Sequence, residues 1–210
     1  MRHSISLTCV RYRLRPVTVE DAAFIVALRT DPLLNRFVHE ISGRVEDQAT
    51  WIESYFKRRG DYYFIVEDAR SGEPHGAIGL YEVADDASEA LFGRWIIKRG
   101  SMAALESAWL IYETGFSRLG LSSVYTLTLD QNLPVISFHE NFGARRMARV
   151  EGQFTVRGEL HAAIEHRVTA AEWPAIQARH YSTITRVAHV ASPQIVGSGR
   201  MPDYRPPQNQ

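Results

Sequence analysis

Cysteine is almost missing from this chain: Cys9 is the single one among 210 residues. One thiol excludes an internal disulfide framework and a cysteine zinc cluster. Excess charge is missing too. The 24 Lys and Arg balance 24 Asp and Glu, and the pI is near 7.1. That balance argues against a protein that holds nucleic acid on a broad basic surface. No run of about 18 apolar residues is present to cross a membrane. The first residues, Met1 to Leu7, lack the long apolar stretch of a secretory signal. The expectation is a soluble cytoplasmic protein with neither nucleic acid nor membrane as partner.

What is present suits one domain with a sizeable core, since 45 % of residues are hydrophobic. We assign residues 1–180 to a single domain and 181–210 to a flexible C-terminal tail. The last twenty residues hold four of the nine prolines and little to bury. Within the body the periodicity alternates. Arg11 to Arg15 reads as a first strand, and Thr18 with Asp21 as a helix start. A second helix is expected from about Arg44 to Arg58. Strands follow at Tyr62–Val66, Ala77–Val83 and Ala90–Ile97, the last interrupted by Gly93 in the manner of a bulge. The clearest helix runs from Ser101 to Leu119, with Leu105, Trp109, Tyr112 and Phe116 on one stripe and Gly120 as its stop. A strand at Val124–Leu129, a short helix at Pro134–Asn141, two further strands and a last helix complete the chain. This order predicts an α/β protein, of the α+β kind, with a mixed sheet and helices on both faces.

One block carries chemistry. The strand ending at Ile97 meets the turn Lys98-Arg99-Gly100-Ser101 and then the long helix. A helix N-terminus presents unpaired N–H groups and the positive end of its dipole, which suits a pyrophosphate. An ordinary strand-to-helix connection with exposed Lys98 and Arg99 accounts for the same residues. Adding Phe116-x-x-Leu119-Gly120-Leu121, Asn132 and Phe138-His139-x-x-Phe142-Gly143 changes the balance. With Arg13-Leu-Arg-Pro-Val-Thr18, Arg29-Thr-Asp-Pro32 and Trp51, the chain over residues 11–169 resembles the GNAT N-acetyltransferases. Its likeness is greatest to the branch of ribosomal-protein and sugar N-acetyltransferases.

The resemblance implies a GNAT fold, a mixed sheet of about seven strands in which two central strands splay apart. It also implies acetyl-CoA or another acyl-CoA as cosubstrate and no metal. In the family the pyrophosphate sits on a Q/R-x-x-G-x-G/A turn. Here Gly100 holds the first glycine position, Ile97 stands at the Gln or Arg, and Met102 at the second glycine. The resemblance assigns Arg99, Gly100, Ser101, Met102, Ala103 and Ala104 to the pyrophosphate, with Met102 crowding the approach. It assigns Trp95, Ile96 and Ile97 to the pantetheine arm and Asn132 to the cofactor side of the following helix. His139 stands seven residues after Asn132, where the family often has a tyrosine as general acid. An imidazole beside the thioester sulfur could protonate the departing thiolate. A structural histidine packed between Phe138 and Phe142 is the alternative.

Glu89 and Glu82 are candidate groups for the base or the acceptor site, and each is equally read as a surface carboxylate. Arg36 and His39 lie between the first two helices, a segment that walls the acceptor site in this fold. Tyr55, one turn from Trp51, offers an aromatic platform. His161 shares a strand face with Glu165 while His166 points the other way. A metal site there lacks a third ligand, so His161 is a candidate substrate contact. The sequence is thus read as an acyl-CoA-dependent N-acyltransferase acting on a primary amine by direct attack. The favoured small-molecule acceptor is a nucleotide-linked amino sugar. A ribosomal-protein or N-terminal protein N-acetyltransferase is the second reading, and a catalytically inactive binding module on the same fold the third. A homodimer is compatible with an exposed strand edge.

Overall fold

A computed structural model describes residues 2–156 and 158–191 of the chain. Its eight-stranded sheet runs in the order β1-β2-β3-β4-β5-β6-β8-β7. The strands are β1 (Leu7–Thr8), β2 (Tyr12–Pro16), β3 (Tyr62–Asp68), β4 (Pro74–Tyr81), β5 (Glu89–Ile97), β6 (Ser123–Leu129), β7 (Arg145–Val156) and β8 (Glu159–Thr169). The helices are α1 (Ala22–Thr30), α2 (Val45–Tyr55), α3 (Ala103–Glu113), α4 (Leu133–Phe142) and α5 (Trp173–Ala191). The element order follows the sequence reading, with the two-residue β1 as an eighth strand. α5 continues through Ala191, so the boundary expected at residue 180 falls inside a helix. The tail from residue 192 onward lies outside the described residues.

Period-two alternation explains the two faces. Phe64 and Val66 of β3, with Ile78 and Leu80 of β4, pack into one core with α3 and α5. Tyr63, Ile65 and Ala77 point the other way and meet α1 and α2. A strand buried on both faces reads as a continuous apolar run, as Tyr62-Tyr-Phe-Ile-Val66 does. α1 starts where expected. The Asp21 carboxylate accepts from the N–H and hydroxyl of Thr18 and grips Arg15 with both oxygens. Pro174 falls in the first turn of α5, where its missing N–H breaks no helix bond.

β5 pairs with β4 on one side and, in parallel, with β6 on the other, but only Glu89–Leu91 meets Ser123–Tyr125. Past Leu91 the two strands separate. On its β4 side β5 carries two residues, Arg94 and Trp95, opposite Ile78 alone. Arg94 adopts φ 50°, so this bulge bends β5 at its midpoint. The interruption expected at Gly93 is therefore centred one residue later. Gly93 itself faces the Tyr81 ring so closely that a Cβ would overlap its hydroxyl.

α3 is buried almost all round, so both of its stripes face protein. Its two buried carboxylates anchor it. Glu113 accepts from the Trp173 indole at 3.0 Å and from Gln177 at 2.6 Å. Glu106 Oε1 accepts three backbone N–H groups, from Val10, Arg11 and Tyr12, at 2.7, 2.8 and 2.8 Å. Removing that oxygen leaves three donors without a partner. Glu106→Ala should therefore lower the unfolding free energy by about 2–4 kcal/mol, read by urea denaturation. Glu106→Gln, which keeps an acceptor, should lose less. A loss in the alanine variant no larger than that of an ordinary surface substitution would refute this anchoring.

Candidate active site

The separation of β5 from β6 opens a cavity of about 490 Å³. Its walls are β5 from Leu91 to Ile96, β6 from Thr126 to Leu129, and the α4 side chains Val135 and His139 behind Asn132. Arg29 of α1, the segment Phe37–His39 and the β7 tip Phe154–Val156 close the far end. Among the described residues no Asp or Glu lines it.

Five residues expected from sequence meet here: His39, Trp95, Ile96, Asn132 and His139. Asn132 caps α4, its carbonyl accepting the N–H groups of Val135 and Ile136. The Trp95 indole turns away toward α3, donating to Ser107 Oγ at 3.1 Å and packing on Phe138. What β5 offers the gap is thus backbone, since its β6 side is unpaired beyond Leu91. His139 is 3 % exposed, ringed by Phe92, Trp95, Phe138 and His166. Its Nδ1 is buried without a hydrogen-bond partner. Burial, with His166 beside it, lowers its pKa to about 3. The expectation that this imidazole titrates near neutrality therefore does not hold. At pH 7 His139 is a neutral ring.

The turn after β5 lies beyond the cavity wall. Ile97 ends the strand, Lys98 pairs with Glu73 at 2.8 Å, and Arg99 is exposed. Gly100 has φ 73° with open space where a Cβ would stand. Ser101 Oγ accepts the N–H of Ala103 at 3.1 Å and bonds His75 Nδ1 at 2.9 Å. Met102 is the N-cap residue of α3 and 68 % exposed. A long unbranched side chain without packing partners can swing aside, so the crowding expected of Met102 is not built into the fold. Ala103 is fully buried, and Ala104 stands beside it in the first turn. The fold thus joins an open strand edge to a helix N-terminus, an arrangement that fits a pantetheine arm followed by a pyrophosphate.

Other expected residues stand elsewhere. Glu89 sits at the closed end of the gap, its carboxylate 2.7 Å from Arg167. Glu89 does not line the cavity. Glu82, at φ 54°, accepts from the Tyr125 hydroxyl at 3.3 Å outside the cavity. Tyr55 is 1 % exposed, and its hydroxyl oxygen accepts the Tyr63 N–H, so it is core rather than an acceptor platform. Arg36 is exposed and lies over Phe37. His161 pairs with Phe154 across the β7/β8 hairpin and does not reach the cavity wall.

Two cationic groups escaped the sequence reading. Arg94 projects from the bulge, holds the buried Asp61 carboxylate with both guanidinium nitrogens, and stacks 4.1 Å from the Tyr81 centroid. A charge inside an apolar strand was the available signal, because it must find a partner. Arg29, noted only as part of a motif, lines the far end and donates to the His39 carbonyl. Burial lowers its pKa, the Tyr63 hydroxyl opposes that, and Arg94 lowers it further.

Sequence comparison places this architecture. The acetyltransferase (GNAT) domain model matches residues 11–145. The chain belongs to the GNAT acetyltransferase family. It is accordingly an N-acyltransferase by family, using an acyl-CoA as cosubstrate. Among curated proteins none matches it. Solved structures do. An apo structure of FdhC, a nucleotide-linked sugar GNAT, is 28 % identical with a TM-score of 0.71, covering 85 % of this chain and 99 % of its own. A GCN5-related N-acetyltransferase from Brucella melitensis has 18 % identity and a TM-score of 0.75, covering 86 % of each chain. A spermidine N-acetyltransferase from Vibrio cholerae has 18 % identity and a TM-score of 0.67, covering 78 % of this chain and 96 % of its own. The last two share the fold.

The buried histidines of this GNAT domain give its stability a pH dependence. The pKa of His139 falls to about 3, and burial also lowers those of His3, His75, His166 and His180. A folded-state pKa below the unfolded value of about 6.5 means that the unfolded chain binds more protons in acid. Stability is then intact above about pH 7 and falls as pH drops through 6.5 toward the folded values. Thermal melts from pH 7 to 4 should show a falling Tm, and His139→Phe should flatten that fall. A pH-independent Tm over this range would contradict it.

Proposed function

We propose that this GNAT enzyme moves an acyl group from acyl-CoA to the primary amine of a nucleotide-linked amino sugar. The observation that carries the acceptor class is the charge of the cavity. Arg29 and Arg94 line it, His39 adds a third basic group, and no carboxylate among the described residues does. Arg94 is neutralised by Asp61. Among the described residues Arg29 donates only to the His39 carbonyl, so it retains a guanidinium for a phosphate or carboxylate. Polyamines and basic peptide termini bring positive charge and need acidic walls, which these walls do not supply. The likeness to a nucleotide-linked sugar GNAT supports the same acceptor.

The reaction needs a free amine, a polarised thioester carbonyl and an outlet for the thiolate. The unpaired edge of β5 offers backbone N–H groups to the pantetheine amides and, at the bulge, to the developing oxyanion. Asn132 and neutral His139 line the opposite wall. The departing thiolate takes its proton from the attacking nitrogen. The mostly apolar walls exclude water, which favours the neutral amine and attack over hydrolysis.

Acetyl-CoA should bind with micromolar Kd, about −8 kcal/mol, in a calorimetric titration despite Ile97 and Met102. No heat and no thermal shift would leave a binding module on this fold. With acyl-CoA saturating, thiol release should be fastest for a nucleotide-linked amino sugar and slow for spermidine and a basic peptide. Arg29→Gln should raise KM for the sugar nucleotide about tenfold or more, with acyl-CoA affinity unchanged. Faster turnover of spermidine would overturn the acceptor assignment.

A further inference from the structure

Among the described residues five buried polar side-chain atoms at or near this cavity have no hydrogen-bond partner, and four of them belong to three residues that neighbour one another. They are Thr126 Oγ1, His139 Nδ1 and both ring nitrogens of His166, with Tyr112 Oη nearby. Buried polar atoms are almost always paired, so such a cluster calls for a reason. Sheet register assembles it. Arg146 of β7, His166 of β8 and Thr126 of β6 lie in one cross-strand row. Side chains in such a row share a face. α4 lies against this row and brings His139 to His166, with ring centroids 5.6 Å apart and planes at 32°. One turn of helix is not needed to reach the surface, because Glu140 is the next residue. Its Oε1 is 3.7 Å from His166 Nε2 and 3.4 Å from Arg146.

The row therefore connects the cavity to solvent. Thr126 and His139 line the cavity. His166 is fully buried behind them, and Glu140 is 42 % exposed. The gap of 3.7 Å is longer than a direct hydrogen bond, and a small turn of the exposed Glu140 side chain closes it. Rotation of either imidazole about χ2 exchanges its nitrogen and carbon edges and so re-aims the ring nitrogens between the two rings.

We propose that His139, His166 and Glu140 form a proton exit that carries the acceptor's ammonium proton from the cavity to solvent. This rests on the N-acyltransferase reading of the cavity. The balance requires such an outlet. R–NH₃⁺ and the thioester become the amide, CoA-SH and one released proton. The N–C bond forms and the C–S bond breaks; of the two protons the nitrogen gives up, the thiolate takes one and the other must leave. No carboxylate lines the cavity among the described residues to receive it. His139 cannot hold it, since burial keeps that ring neutral. It can pass it on, accepting at one nitrogen while the other donates to His166, which in turn donates toward the Glu140 carboxylate. His139 then touches substrate, whereas His166 and Glu140 are positioning and relay residues acting through it. The charged groups facing His166 are Glu140 on α4 and Arg146 on β7. His139 faces His166 and otherwise aromatic rings.

Steady-state kinetics of Glu140→Gln and His166→Gln test the relay. Glu140 is exposed, so its variant keeps the fold even if the buried substitution does not. Both should lower kcat about tenfold or more with unchanged KM for acyl-CoA, and the loss should shrink as pH rises and the acceptor enters as free amine. Glu140→Asp should recover part of the rate. The double variant should be no slower than the slower single one, because both act in one path. Unchanged kcat in Glu140→Gln, or a pH-independent loss, would overturn the relay while the transferase assignment stands. Absence of turnover by the wild type with any amine would instead overturn the transferase reading and the relay with it.

Discussion

The parting of β5 from β6 is the constraint on which the rest depends. Three parallel register pairs hold the strands together at Glu89–Leu91, and then the sheet is divided. Each strand keeps its other neighbour, β4 for β5 and β8 for β6, so no ladder is lost outside the gap. The bulge at Arg94 and Trp95 bends β5 outward, and α4 drives Phe138 and His139 into the wedge against Trp95. A buried strand edge with unpaired N–H and C=O groups is costly unless something pairs with it. An extended amide-bearing substrate can do so, which makes this opening in the sheet the candidate site for the pantetheine arm.

Charge inside the gap is arranged by the same packing. Arg94 is forced inward by its positive φ, and Asp61, 6 % exposed, meets it there. Breaking that pair would strand a buried charge, so it fixes the bulge rather than awaiting a ligand. Arg29 differs because its recorded partner is a carbonyl. His139 is kept neutral by the aromatic rings that also hold α4 in place. One set of contacts therefore decides shape, which cation is free and which proton carriers are uncharged.

Much of this was legible in the chain. The apolar run Tyr62–Val66 reads as a strand and forms β3, and the strand-to-helix turn expected after Ile97 is present before α3. The family resemblance points to His139, and that residue lines the gap. The misplacements have a common cause. Glu89, Glu82 and Tyr55 were judged by residue type and neighbourhood in sequence, but their partners Arg167, Tyr125 and Tyr63 come from other elements. Arg94 was passed over because a bulge shifts register by one residue, turning an expected strand face. His166 was seen to point away from His161. That it then faces His139 follows only once β8 is known to lie beside β6 and under α4.

The turn at Lys98–Met102 keeps the backbone of a helix N-terminus although two of the family's signature side chains are replaced. Phosphate binding at a helix N-terminus uses backbone N–H groups and the dipole, which survive any side-chain change that leaves the backbone alone. Gly100 supplies the left-handed residue, and the Ser101 hydroxyl braces the first turn through Ala103 and His75. Ile97 supplies no side-chain donor, so on the proposed binding mode the pyrophosphate end contributes less than a complete turn would. The strand edge of β5 then carries a larger share of the proposed cosubstrate contacts. Because that edge is made of backbone, substitutions along β5 act on it only by changing the bulge, and the Arg94–Asp61 pair that holds the bulge becomes a determinant of cosubstrate binding from a distance.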